Sequence, residues 1–277
     1  MSSNPQQETQ SSPTHRLRIP ALQRKAAEGQ RISMLTAYDA FTAPIFEAAG
    51  VDTLLIGDSL GNVSLGYEST LPVSLEDVLR ATEAVVRSTR RPFIVADLPF
   101  GSFEESPAQA FRSSAALLKA GAGAVKLEGG ARRAETVDFL VSNGVPVVGH
   151  LGYTPQSENT IGGPRLQGKG IQASRLLQDA RALSDAGAFA IVLEMVPASL
   201  ATTITKDVPA LTIGIGAGPG CDGQVLVWSD MAGMTSWSPS FAKRFAEVGS
   251  VLEEAARQYV LETESGAFPA VQHTRED

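Results

Sequence analysis

The chain lacks most features that mark a secreted or membrane-embedded protein. Only one of its 277 residues is cysteine, Cys221, so no disulfide can form within one copy. No apolar stretch approaches the ~20 residues that a membrane-spanning helix needs, and residues 1–13 lack the apolar core of a signal peptide. We therefore expect a cytoplasmic location.

Clustered basic residues are also missing. The chain carries 23 Lys and Arg against 30 Asp and Glu, a formal net charge of −7, and its basic residues are scattered. A nucleic acid or an anionic membrane surface is therefore not an expected partner. Small anionic substrates stay open, because the local charge of a pocket decides their binding.

Hydrophobic residues make up 43% of the chain and charged residues 19%, which is ordinary for an enzyme with a sizeable core. Eight short apolar runs, most of them separated by a helix-length segment, predict strands that alternate with helices. This pattern predicts an α/β fold of the (β/α)₈ TIM-barrel type. The runs are residues 32–37, 53–58, 93–97, 124–128, 145–150, 190–194, 211–215 and 225–228.

One closed barrel takes about 250 residues, so a single domain accounts for nearly the whole chain. We assign residues 16–264 to the barrel, with an N-terminal closing helix and a C-terminal helix near residues 239–262. Residues 1–15, rich in Ser, Gln, Thr and Pro, are expected to be a disordered polar tail, and residues 265–277 a second polar tail. Residues 151–170 form a long polar, Gly-rich stretch, a candidate lid or binding loop.

Titratable residues gather where the predicted strands end. In a (β/α)₈ barrel these ends meet at one rim, which carries the active site. Structural ion pairing is the simpler explanation for one such pair, but six groups on five strand ends exceed what packing requires. We therefore predict one site that contains Asp58, Asp97, Lys126, Glu128, His150 and Glu194.

Asp58, Asp97 and Glu128 offer only hard oxygen ligands, which favours Mg²⁺ over Zn²⁺. Lys126 is a cation suited to a substrate carboxylate. Glu194, on the far side of the barrel, is a candidate general base. A neutral His150 would hydrogen-bond the substrate or orient another group.

Residues 214–220 form a Gly-rich loop after the seventh strand, where such barrels often bind phosphate. Their spacing does not fit the dinucleotide-binding pattern, because Pro219 or Cys221 falls where the third glycine belongs. As a nucleotide-binding motif the loop is therefore weak.

The sequence resembles the ketopantoate hydroxymethyltransferase family from about residue 32 to the C-terminal region. Seven blocks carry the resemblance in order: MLTAYD at 34–39, GDSLG at 57–61, STLPV at 69–73, ADLPF at 96–100, VKLEGG at 125–130, GHLGYTPQS at 149–157 and GIGAG at 214–218.

The resemblance implies transfer of a hydroxymethyl group from 5,10-methylenetetrahydrofolate to 3-methyl-2-oxobutanoate, giving 2-dehydropantoate, the first step of pantothenate biosynthesis. It implies Mg²⁺ as cofactor, an enolate stabilised by it, and a homodecamer built as a pentamer of dimers. It places Mg²⁺ on Asp58, Asp97 and Glu128, the last directly or through water, and makes Glu194 the proton acceptor. The substrate is expected to contact Asp58, Ser59, Asp97, Lys126 and His150.

Two other functions stay open. One is a Mg²⁺-dependent phosphoenolpyruvate mutase or isocitrate lyase-like enzyme, which acts on similar oxo acids in a similar barrel. No obvious catalytic cysteine loop supports it. The other is a non-enzymatic barrel that binds a metabolite or acts as a scaffold. The chain keeps every charged residue of the candidate active site, which argues against this second function.

Overall fold

The computed structural model describes residues 15–275, which fall into two compact units, residues 15–225 and 226–275. The predicted N-terminal tail, apart from His15, lies outside the described residues, as do residues 276–277 of the C-terminal tail. The single-domain boundaries stay a prediction.

The first unit carries the predicted barrel. Parallel strands follow one another around a closed sheet in chain order, which confirms the (β/α)₈ fold. The strands are β1 (Ile32–Thr36), β2 (Thr53–Ile56), β3 (Phe93–Asp97), β4 (Ala124–Glu128), β5 (Val147–Gly152), β6 (Ala190–Glu194), β7 (Leu211–Ile215) and β8 (Gly223–Leu226). Their apolar runs are buried because helices cover such strands from outside while side chains fill the interior.

Helices connect the strands in the expected alternation. They are α1 (Ile19–Ala27), α2 (Thr42–Ala48), α3 (Leu60–Val63), α4 (Leu75–Ser88), α5 (Pro107–Lys119), α6 (Ala134–Ser142), α7 (Glu158–Ile161), α8 (Gln172–Asp185), α9 (Ala198–Asp207), α10 (Trp228–Ala232) and α11 (Val248–Ser265). Short 3₁₀ turns occupy Ala131–Arg133, Pro155–Ser157 and Val271–His273. No helix of residues 15–275 is long and apolar enough to cross a membrane.

Two helices begin at capping serines. Ser74 accepts a hydrogen bond from the Asp77 amide while the Asp77 carboxylate accepts one from the Ser74 amide, a complete capping box. Ser106 accepts from the Gln109 amide at 3.2 Å, with Pro107 in the first turn. Such caps satisfy amides that have no partner inside the helix.

Helix α1 lies at the N-terminal end of the barrel. Its buried Leu22 lines the same small internal cavity as Ile32 and Phe93, which lie at the starts of β1 and β3. Asp52, just before β2, binds Lys25 of α1 through an ion pair of 2.6 Å. Apolar packing and this ion pair therefore occupy the N-terminal end of the barrel, while the candidate site residues lie at the opposite rim.

Several predicted segments were wrong at their ends: β1 ends one residue and β2 two residues earlier than predicted, and β5 spans Val147–Gly152 in place of 145–150. The eighth strand begins at Gly223 and ends at Leu226, and Trp228 starts α10 because the amides of Asp230 and Met231 both donate to the Val227 carbonyl. The C-terminal helix begins at Val248, not near residue 239. The segment before it is held in turns, with the Phe245 amide donating to the Met231 carbonyl at 2.8 Å.

The second unit contains α10 and α11. No residue of α11 is buried, and its apolar side chains include exposed Val251 and Leu252. The end of the unit is ordered by aromatic contacts: the rings of Tyr259 and Phe268 lie 5.8 Å apart, and those of Phe268 and His273 lie 5.2 Å apart. Helix α11 continues past Glu262 to Ser265, and the 3₁₀ turn Val271–His273 follows it.

Candidate active site

Strand register brings the predicted polar residues together. Asp97 of β3 pairs with Lys126 of β4, and Glu128 pairs with His150 of β5. Gly152 pairs in turn with Glu194 of β6. Alternate residues of one strand share a face, so Lys126 and Glu128 point the same way. Neighbouring strands therefore place these groups side by side at the C-terminal rim.

Ion pairs connect the group directly. Lys126 Nζ lies 2.7 Å from Asp97 Oδ1, and His150 Nδ1 lies 3.3 Å from both Lys126 Nζ and Glu128 Oε1. His150 Nε2 lies 3.1 Å from Glu194 Oε2. Glu194 on β6 stands four strands from β2, and His150 links it to the residues on the other side of the rim.

Glu194 is the most open of these groups. Its side chain is 17% exposed, against 5% or less for Asp97, Lys126, Glu128 and His150. A glycine permits this placement: Gly152 has a φ of +96°, and a Cβ there would lie 2.0 Å from the Glu194 carbonyl oxygen. The Glu194 carboxylate is thus fixed by its backbone and by His150 while still reaching the mouth of the barrel.

The electrostatics of His150 differ from the neutral imidazole expected from the sequence. Burial and the nearby Lys126 disfavour its charged form, but hydrogen bonds with Glu128 and Glu194 outweigh them and raise its pKa to about 9. A charged imidazole donates from both nitrogens. His150 therefore serves as a fixed double donor between two carboxylates in this structure.

Asp58 and Asp97 are buried and crowded by other charges. Burial raises the pKa of both carboxyls to about 6. Repulsion from Glu128 adds to the rise at Asp58, and repulsion from Asp58 adds to it at Asp97, while Lys126 opposes both. Such a cluster favours a cation that would neutralise it.

Ser59 lies beside an aromatic residue that sequence reasoning did not assign. The Tyr38 hydroxyl and Ser59 Oγ are 2.8 Å apart, and Tyr38 is buried. Burial raises the pKa of the Tyr38 phenol, so it stays protonated and able to donate. Its place directly after β1, in a block that resembles the family, was the available signal.

Gln156 is the second residue that sequence reasoning missed. Its Nε2 donates to Asp58 Oδ2 at 2.8 Å and to the Leu98 carbonyl at 3.0 Å. Its backbone amide donates to Glu128 Oε2 at 3.0 Å. Gln156 is buried and belongs to the 3₁₀ turn Pro155–Ser157, so the predicted binding loop is anchored on two of the carboxylates.

The carboxylates fit a magnesium ion through donor chemistry. Asp97 Oδ1 and Glu128 Oε1 are buried, and within the described residues they contact Lys126 Nζ and His150 Nδ1. Within residues 15–275 no group of three or more His, Cys, Asp or Glu side chains that could hold a metal ion is present. Mg²⁺ takes one or two carboxylates and completes its shell with water and substrate. Asp58 and Asp97 supply carboxylates of this kind.

The family profile of ketopantoate hydroxymethyltransferase matches residues 16–271. The chain belongs to this family. Proteins with the curated name 3-methyl-2-oxobutanoate hydroxymethyltransferase are similar along almost the whole length. That from Mycobacterium avium (strain 104) is 52% identical over 260 residues, 93% of this chain and 91% of the relative. That from Leifsonia xyli subsp. xyli is 49% identical over 276 residues, 99% of this chain and 100% of the relative.

Solved structures with the same fold are far more distant in sequence. Phosphonopyruvate hydrolase, solved with oxalate and Mg²⁺, is 13% identical with a TM-score of 0.62, and the match covers 93% of each chain. A 2,3-dimethylmalate lyase of the phosphoenolpyruvate mutase/isocitrate lyase superfamily is 14% identical with a TM-score of 0.60, covering 93% of this chain and 91% of that one. At this identity the likeness shows a shared barrel fold.

The Gly-rich loop after β7 has a packing role in this family member. Gly218 has a φ of +76°, and a Cβ there would lie 2.5 Å from the Ala198 Cβ at the start of α9. A Cβ at Gly220 would lie 2.1 Å from Thr202 Oγ1. The glycines therefore allow the loop to pack against α9, which explains their number without a nucleotide.

Proposed function

We propose that this chain transfers a hydroxymethyl group from 5,10-methylenetetrahydrofolate to 3-methyl-2-oxobutanoate, with Glu194 as proton acceptor. The family membership supports the reaction. The observation that carries the residue roles is the His150–Glu194 pair, which holds a carboxylate at the mouth of a buried cluster of charges. The rim of a (β/α)₈ barrel is where substrate and reacting groups meet.

Mg²⁺ would be held by Asp58 and Asp97, with Glu128 acting directly or through water. When bound, it supplies Lewis-acid stabilisation of the negative charge that develops on the oxo acid. Gln156 holds Asp58 and Glu128 in place through the hydrogen bonds described above. These contacts keep the carboxylates oriented, so little reorganisation is required when substrate arrives.

Lys126 would bind the carboxylate of the oxo acid. Its Nζ is buried between Asp97 and His150, which fixes the position of the ammonium group. Burial disfavours the charged amine, but Asp97, Asp58 and Glu128 outweigh it and raise its pKa, so the cation persists. Ser59 Oγ, bonded to Tyr38, would be a further donor to the substrate.

Glu194 would remove the proton from C3 of the oxo acid. Its Oε2 is bound to His150, which leaves Oε1 for the proton. The resulting carbanion equivalent would form a C–C bond to the one-carbon unit of the folate. One water is consumed: its oxygen becomes the new hydroxyl group as the bonds between the one-carbon unit and the folate nitrogens break, and tetrahydrofolate leaves. Positioning both substrates at one rim supplies much of the rate acceleration, since proximity alone can lower the activation barrier by ~7–11 kcal/mol.

The expected assembly rests on the family resemblance, and the expected location rests on the composition of the sequence. We expect a homodecamer, which light scattering of the purified protein would test, and a cytoplasmic enzyme. No nucleic acid or membrane partner is expected.

Product formation tests the proposal. Protein incubated with 3-methyl-2-oxobutanoate and 5,10-methylenetetrahydrofolate should form 2-dehydropantoate with Mg²⁺ and lose this activity with EDTA. A parallel incubation with phosphonopyruvate and with phosphoenolpyruvate tests the alternative suggested by the fold. Turnover of either phosphorus compound, without product from the oxo acid, would replace the proposed reaction with a mutase- or lyase-type one.

A further inference from the structure

A cavity of about 480 Å³ borders the candidate active site. Chain neighbours of site residues form part of its wall. Gly129 follows Glu128, Ser157 follows Gln156, and Gly152 is the register partner of Glu194. The cavity is therefore separated from the charged cluster by single residues, and its volume lies in the ~300–1,000 Å³ range of small-molecule sites.

Two arginines give this cavity a cationic wall. Arg132, in the 3₁₀ turn after β4, and Arg175 of α8 both line it, and both also line an adjoining cavity of about 210 Å³. Within residues 15–275 neither side chain is engaged in an ion pair or a hydrogen bond. Both are exposed and so retain donors for a ligand.

The acidic residue of this wall is already engaged. Asp179 Oδ1 accepts a hydrogen bond from the Ala131 amide at 2.7 Å. A Cβ at Gly130 would lie 2.2 Å from the same oxygen, so a glycine is needed for this approach. Asp179 thus fastens the turn that carries Arg132 to α8, and it does not pair with either arginine.

Apolar side chains complete the cavity. Leu151, Ile161 and Leu176 line it together with the two arginines. A matching ligand has an apolar, flat portion and an anionic end. Guanidinium groups bind carboxylates through paired hydrogen bonds, which is the chemistry expected at that end.

We propose that this cavity binds the aminobenzoyl-glutamate portion of the folate co-substrate, with Arg132 and Arg175 binding its glutamyl carboxylates. The inference rests on the proposed function, because that reaction brings a folate to the rim. The aromatic ring packs among the three apolar side chains. The one-carbon end of the same molecule then extends toward Glu194.

Direct binding of two probes tests this assignment. Tetrahydrofolate carries the glutamate, and tetrahydropteroate is the same molecule without it. Titration calorimetry on the intact protein, without the oxo acid, measures Kd for both probes with wild type, Arg132→Gln, Arg175→Gln and the double variant. Arg24→Gln is the matched control, an exposed arginine on α1 at the opposite end of the barrel.

Each cavity substitution should weaken tetrahydrofolate binding by about 5-fold, the upper range for partly exposed ion pairs, and the effect should shrink at high salt. Binding of tetrahydropteroate should be the same in all variants, and Arg24→Gln should resemble wild type with both probes. The KM for the oxo acid should not change.

Equal losses for both probes, or no loss for either, would overturn the assignment. The outcome is separable from that of the proposed function, since wild-type product formation is measured first. A wild type that forms product, with cavity variants that bind both probes as wild type does, leaves the reaction standing and removes this site. A wild type that neither forms product nor binds tetrahydrofolate would contradict both the proposed reaction and the proposed folate cavity.

Discussion

His150 Nε2 lies 3.1 Å from Glu194 Oε2, while Nδ1 of the same ring lies 3.3 Å from Glu128 Oε1. One imidazole therefore connects the proposed base to the carboxylates on the other side of the rim. Because both contacts are charge-assisted, they fix the Glu194 carboxylate more firmly than a neutral hydrogen bond would. The reactivity of Glu194 and the position of His150 should accordingly be coupled.

The first prediction concerns Glu194 as the base. Glu194→Gln preserves the shape and removes the basicity, so deuterium exchange at C3 of 3-methyl-2-oxobutanoate in D₂O should fall ~10²–10⁴-fold. Proton NMR of the oxo acid with Mg²⁺ present measures the exchange, and oxo-acid binding should persist. If wild type requires both substrates before exchange, tetrahydrofolate lacking the methylene group should restore it.

Retention of the wild-type exchange rate in Glu194→Gln would move the base to another residue. Absence of exchange in wild type under every condition would instead favour a protein that only binds its ligand. The test thus separates an enolising enzyme from a passive barrel.

Strand order alone was sufficient to predict that these groups share one rim. The runs ending in Asp97, Glu128 and Glu194 were recognisable as strands, and the barrel architecture then brings their ends together. The charge of His150 was beyond such reasoning, because it depends on burial and on three neighbours from two strands. The sequence indicates that His150 lies at the end of a strand, but it does not indicate how burial and hydrogen bonding together set the pKa of its imidazole.

Gln156 and Tyr38 were missed for a different reason. Neither carries a charge, and neither lies within a strand, so no periodicity singles them out. Their importance appears only when the loop after β5 folds back onto Asp58 and when the chain after β1 meets Ser59. Loop conformation of this kind depends on tertiary contacts that local sequence does not specify.

The second prediction concerns the metal. Asp58→Asn and Asp97→Asn should each remove most activity and weaken Mg²⁺ binding, because an amide is a poorer ligand than a carboxylate for a hard cation. Titration calorimetry with Mg²⁺ gives the affinity, and circular dichroism checks that the barrel stays folded. Full activity of both variants in the presence of chelator would contradict the assignment.

The third prediction concerns Lys126. Lys126→Ala should raise the KM for the oxo acid by more than it raises the KM for the folate, because the ammonium group would bind the substrate carboxylate. Steady-state kinetics with each substrate varied in turn separates the two. Equal changes in both KM values, or a change for folate alone, would argue against this role.

The fourth prediction concerns Gln156. Gln156→Leu removes the donor to Asp58 Oδ2 and the Leu98 carbonyl but keeps the backbone amide that binds Glu128. We expect weaker Mg²⁺ binding and a loss of about 1–3 kcal/mol in unfolding free energy, the usual effect of leaving buried polar groups without a partner. Gln23→Leu, at an exposed position of α1, is the control, and identical Mg²⁺ affinities in both variants would show that Gln156 does not position Asp58.

The last prediction concerns stability at the end of the barrel opposite the site. Asp52 accepts hydrogen bonds from the Ser33 amide at 2.9 Å and Ser33 Oγ at 2.8 Å, besides its ion pair with Lys25. Burial alone would raise the pKa of Asp52, but the bonds from Lys25 and Ser33 outweigh it and hold the pKa below its ordinary value. A carboxyl with a lowered pKa in the folded state stabilises the protein above its unfolded pKa, ~3.9 for Asp, and this contribution is lost as the pH falls through the folded value.

Asp52→Asn should therefore cost about 1–3 kcal/mol of unfolding free energy at pH 7, and the difference from wild type should narrow below about pH 4. Urea unfolding at several pH values measures it, with Asp138→Asn on the exposed face of α6 as a control that should match wild type throughout. A difference between Asp52→Asn and wild type that is constant with pH, or that grows toward acid, would mean that Asp52 does not stabilise the barrel through its charge.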